Sequence, residues 1–152
     1  MTFIKRPLAA AGATALLALS LSACGGGAPT DASKKDFCGG LADVVAASTA
    51  ISGEEPDEKE WTTIQEAYAD LGDIGTPEGI GEAERNGFEV TVEAIEGLDY
   101  DEAKKSFGDE DGSDSIPGVS KDEEKDVDKF SAYATKNCEE EITKQLTDDA
   151  AE

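Results

Sequence analysis

The 152-residue chain contains no histidine. That removes the commonest general base, the Ser-His and Cys-His nucleophile pairs and the usual zinc ligands. Basic residues are scarce as well: 13 Lys and Arg stand against 35 Asp and Glu, for a formal charge of −22. Such a surface disfavours nucleic acid and anionic headgroups as direct ligands, and it favours cations and basic partners. The chain has no Walker-type loop, no Gly-x-Ser-x-Gly elbow and no dinucleotide fingerprint. No strong period-2 alternation or hairpin turn occurs, which argues against a sheet. Beyond the first two dozen residues, no apolar run reaches the roughly 20 residues of a spanning helix.

What is present begins with a short basic segment, Lys5-Arg6, followed by an Ala-, Leu-, Gly- and Thr-rich run from Leu8 to Leu21. Its length is that of a signal-peptide core, and its flanking charges fit an N-terminus held on the cytoplasmic side. Small residues follow at Ser22 and Ala23, and then Cys24. An ordinary secretory cleavage site has no need of that cysteine.

Leu21-Ser22-Ala23-Cys24 resembles the lipobox of bacterial lipoproteins. The resemblance implies a diacylglyceryl lipid on Cys24, cleavage before it by signal peptidase II, and an extracytoplasmic chain anchored in the cell membrane. Two acyl chains, at about 0.8 kcal/mol per buried CH₂, hold a protein stably where one is marginal. Removal of residues 1–23 leaves 129 of the 152. Loss of Lys5 and Arg6, the only charged residues before Cys24, takes the formal charge from −22 to about −24. With Cys24 committed to lipid, Cys38 and Cys138 remain, and pairing them is the simple outcome in an oxidising compartment. An unpaired thiol couple and an intermolecular bridge are the alternatives.

Residues 24–35, opening with Gly25-Gly26-Gly27, read as a flexible tether with a root-mean-square reach of about 18 Å. Residues 36–146 read as one helical domain and 147–152 as a fraying tail. Phe37, Leu41, Val44, Val45, Ser48 and Ile51 form one stripe, predicting a helix from Asp36 to about Ser52 that the Gly39-Gly40 pair weakens at its start. Pro56 and the acids after it suit the first turn of a second helix, with Trp61, Ile64, Ala67, Tyr68, Leu71 and Ile74 inward. The Trp61–Tyr68 stripe is a core pattern before it is an aromatic ligand groove. Thr76-Pro77 predicts the N-cap and first residue of a third helix, with Ile80, Ala83, Phe88, Val92 and Ile95 inside. Its carboxylates, Glu82, Glu89, Glu93 and Glu96, read as a solvated face rather than an acid/base pair. Asp101 to Phe107 suits one or two helical turns. Ser120 and Glu123 have capping-box spacing ahead of a last helix with Val127, Phe130, Ala134, Cys138 and Ile142 inward. The sum is an all-α bundle of about four helices, its first and last tied by a disulfide, with a long acidic loop.

Within that loop, Gly108 to Ser115, the segment Asp109 to Asp114 is the strongest local candidate for a metal site, with Asp109, Asp111 and Asp114 as oxygen donors for Ca²⁺. The register departs from an EF-hand: with Gly112 at loop position 6, Phe107 and Gly118 occupy positions 1 and 12, where carboxylates belong. A solvated loop is the plainer reading. Asp36-Phe37-Cys38, Thr76-Pro77-Glu78, Gly87-Phe88-Glu89 and Tyr133 with Lys136-Asn137-Cys138 together resemble small uncharacterised lipoproteins of high-GC Gram-positive bacteria. That resemblance supports the Cys38–Cys138 pairing and implies no activity. The expectation is therefore a non-catalytic binding or envelope-associated domain with a protein or small-ligand partner, and no cofactor besides its lipid. A calcium or small-ligand module is the alternative. A carboxylate-based envelope hydrolase, needing two acids, comes last.

Overall fold

The computed structural model describes residues 27–53, 55–108 and 116–149. Within them lie five helices: α1 (Lys34–Thr49), α2 (Glu58–Ile74), α3 (Glu82–Gly97), α4 (Tyr100–Gly108) and α5 (Lys121–Asp149). The all-α class holds. Four helices form a closed ring in which α1 packs on α2 and α5, and α3 packs on α2 and α5. The short α4 contributes Ala103 to one end of the ring.

Local chemistry sets most of the helix starts. Ser33 caps α1, its hydroxyl accepting from the Asp36 amide at 3.1 Å, so the helix begins two residues before the stripe predicts. The glycine pair at 39 and 40 does not delay it. Asp57 and Glu60 form a reciprocal capping box on α2. Asp99 accepts from the Glu102 amide at the start of α4. Ser120 and Glu123 exchange backbone and side-chain bonds at the start of α5, as their spacing predicts.

α3 departs from the prediction. It begins at Glu82 with Gly81 as its N-cap, not at Thr76-Pro77. Pro77 to Ile80 instead form a turn closed by the Ile80 amide on the Pro77 carbonyl, with Gly79 at a φ of 82°. Thr76 is fully buried and bonds to the chain's N-terminal segment rather than capping a helix. The far end of α5 differs too: Thr147 and Asp148 continue the helix, which spans 29 residues, about 43 Å at 1.5 Å per residue.

The core has two parts. In the larger, Phe37 of α1, Phe88 of α3 and Phe130 of α5 meet with ring centroids 5.5–6.5 Å apart, Phe130 edge to face with both others and Phe37 tilted on Phe88. Tyr133 adds a fourth ring against Phe37. Burial of each phenylalanine contributes roughly 1.5–3 kcal/mol before the pair terms. Next to Phe37, Cys38 is bonded to Cys138, with Cα atoms 5.1 Å apart. The second part gathers Trp61, Ile64, Leu98 and Ala103 near the α1–α2 connection. There the Trp61 indole donates to the Leu98 carbonyl at 3.1 Å, and Gln65 donates to the same oxygen at 2.9 Å.

Close approach of α3 to α5 depends on Gly87. A Cβ at that position would overlap the Asp126 carbonyl, which is backbone and has little room to yield. Gly39, by contrast, faces open space inside α1. Gly87→Ala should lower unfolding free energy by about 2–3 kcal/mol through forced separation of α3 and α5. Gly39→Ala should raise it by about 0.5–1 kcal/mol. Urea denaturation of the two variants checks both signs. Reduction of the Cys38–Cys138 bond, which closes a loop of 100 residues, should cost about 4–5 kcal/mol in the chain-entropy model. Denaturation with and without a thiol reductant measures it.

Candidate functional site

The residues singled out for chemistry fall into three groups. Cys24 and the calcium candidates Asp109, Asp111 and Asp114 lie outside the described residues. Cys38 and Cys138 are joined in a fully buried disulfide, which removes both as nucleophiles or metal ligands. The aromatic stripe of α2 is core: Trp61 is 3% exposed, and burial raises the Tyr68 phenol above its usual range.

Of the four α3 carboxylates, three share one groove and Glu82 stands apart. Glu82 stands exposed at the start of the helix. Glu89 pairs with Arg85 one turn earlier, at 2.8 Å, both side chains about one third exposed. Glu93 and Glu96 lie with Asp73 and Glu89 on the rim of a shallow groove of about 370 Å³ between α2 and α3. Its floor is apolar, made by Ala69, Gly72, Phe88 and Val92, and Ala28 closes one side. The groove offers a carboxylate rim to a cationic group. Among the described residues no hydroxyl, thiol or imidazole nucleophile lines it. Among the described residues no cluster of three potential metal ligands occurs.

The displaced ionisations belong to structural contacts. The Asp57 amide, followed by the Ser52 hydroxyl and amide, lowers the Glu60 carboxyl below its usual value. The Ser120 hydroxyl, then its amide, does the same for Glu123. Asp126 is lowered by its bond to Lys129 and then by Asn86, and Lys129 is raised in turn by Asp126. Each of these groups caps a helix or pins α3 to α5.

Where a tether is predicted, the chain from Ala28 to Ala32 lies along the α2–α3 turn as a strap. The Thr76 amide donates to the Pro29 carbonyl at 2.8 Å, and the Ala32 amide donates to the Thr76 carbonyl at 3.2 Å. Arg85 donates to the Ala28 carbonyl at 3.0 Å. Gly75, with a φ of 78°, admits Pro29 where any Cβ would collide with its carbonyl. Pro29 and Gly75 are 46 positions apart, so no local pattern reveals the pairing.

Among the described residues no helix is long and apolar enough to cross a membrane. The chain matches no protein-family model, no curated protein and no solved structure.

Glu60 provides a titration test of the α2 cap. Its folded-state pKa is lowered, so its contribution is complete above the ordinary carboxylate range and is lost as pH falls through the folded value. Glu60→Gln should therefore be less stable than the parent at neutral pH, and the difference should vanish on acidification. Relief of general charge repulsion affects both proteins alike and drops out of the difference. Paired thermal unfolding across pH measures it.

Proposed function

We propose that the chain is a bacterial lipoprotein, anchored by a diacylglyceryl group on Cys24 at the extracytoplasmic face of the cell membrane. Its helical domain acts by binding rather than by catalysis. The observation that carries the anchor is the Leu21-Ser22-Ala23-Cys24 pattern after an apolar run of signal-peptide length. The buried Cys38–Cys138 bond supports an oxidising compartment. With Cys38 and Cys138 paired, Cys24 is the one thiol left for the lipid.

The absence of histidine from the sequence and the structural use of both paired cysteines support a non-catalytic role. A formal charge of about −24 after cleavage favours a partner of basic character over nucleic acid. The carboxylate-rimmed groove between α2 and α3 suits the same kind of partner.

Cys24→Ala should abolish incorporation of a labelled fatty acid and move the protein from the membrane to the soluble or secreted fraction. Membrane retention unchanged by the substitution would refute the anchor.

A further inference from the structure

The strap determines how a lipid-anchored form of this domain must sit. If Cys24 carries the lipid, three residues, Gly25, Gly26 and Gly27, separate it from Ala28, the first residue held by the body. Four Cα steps span at most about 14 Å. The strap is secured between Ala28 and Ala32 by Arg85 and by both backbone groups of Thr76. The leash therefore emerges beside the first two turns of α3, at Arg85 and Glu89, next to the α2–α3 turn.

The opposite end is well separated. α2 has 17 residues and extends about 25 Å from that turn to the α1–α2 connection. Ser52, bonded to Glu60, and Leu98, bonded to Trp61, mark the far end.

We propose that the α2–α3 turn is the membrane-facing surface of the domain, held against the phospholipid bilayer by the short leash, with the α1–α2 connection pointing away. This rests on the lipid-anchor reading above. The end in question carries Lys34 and Lys35, both exposed and in no ion pair among the described residues. They open α1, where the helix dipole disfavours a cation, and headgroup phosphates give them a counter-charge. Asp31, Asp36 and Glu78 are exposed at the same end. The surface is thus not basic overall, and the covalent leash rather than charge keeps it at the bilayer.

The test uses protein purified from membranes of the producing bacterium and reconstituted in phosphatidylcholine vesicles containing a headgroup spin-labelled lipid. Two variants carry an added tryptophan at exposed positions, Glu78→Trp at the turn and Lys59→Trp at the far end, over the constant buried Trp61. Intact mass first establishes whether Cys24 bears the lipid; its absence overturns both the anchor and the orientation. With the lipid present, the emission added by Glu78→Trp should be largely quenched and that added by Lys59→Trp should survive. Equal quenching overturns the orientation and leaves the anchor standing. Insertion of a Gly-Ser linker of about twelve residues between Gly27 and Ala28, with a reach of about 19 Å, should remove the contrast. A contrast that persists with the linker also overturns the proposal, because the leash would not be its cause.

Discussion

The bond between Cys38 and Cys138 is the constraint on which the closure of this bundle depends. α1 and α5 are the first and last helices, 100 residues apart in sequence at the joined positions. Immediately beside the bond, Phe37 stacks edge to face on Phe130 and leans on Phe88, so the covalent link and the aromatic packing act on the same junction. A chain with 32% charged residues and 6% aromatic residues has few large side chains to fill a core. Concentrating three phenylalanines where the ring of helices closes, and reducing the entropy of the unfolded chain at that point, offsets the shortage. The far end of the ring relies on a different device, the Trp61 and Gln65 bonds to the Leu98 carbonyl, which fasten the end of α3 to the start of α2.

The acidic composition is managed at the helix ends. Asp36, Asp57, Glu58, Glu60, Glu82, Glu84 and the run Asp122-Glu123-Glu124 lie in first turns or at caps, where the partial positive charge of the helix favours them. Among the described residues, the carboxylates whose ionisation departs from normal, Glu60, Glu123 and Asp126, serve caps and the α3–α5 contact through Asn86. None converges with another on a cavity. Among the described residues a perturbed carboxylate signals helix architecture.

The helices were largely legible in the sequence because their determinants are local. The Phe37 and Phe130 stripes, the Ser120-x-x-Glu123 box and the buried Trp61 all follow from spacing within one or two turns, whereas α2 takes Asp57 as its cap and leaves Pro56 outside its first turn. Thr76-Pro77 misled for a physical reason. Threonine before proline is a good helix start in isolation, but the Thr76 amide and carbonyl are taken by Pro29 and Ala32, which hold the segment extended and delay α3 to Glu82. The strap was misread as tether for the same reason: its glycine and proline composition says only that it forms no helix. Nor could spacing show that Glu89 belongs to Arg85 while Glu93 and Glu96 rim a groove.

By itself the sequence determined the all-α class, the cap of α5, the inward stripes and the small number of chemistries open to a chain without histidine. These depend on residue type and on contacts within a few positions. Only the tertiary structure decided the ring order of the helices, the need for Gly87 where α3 meets α5, and the lashing of residues 28–32 to the α2–α3 turn. The last two are meetings of backbone with backbone across 39 or more positions, and backbone groups are the same in every residue. Composition and periodicity carry no record of which of them will meet.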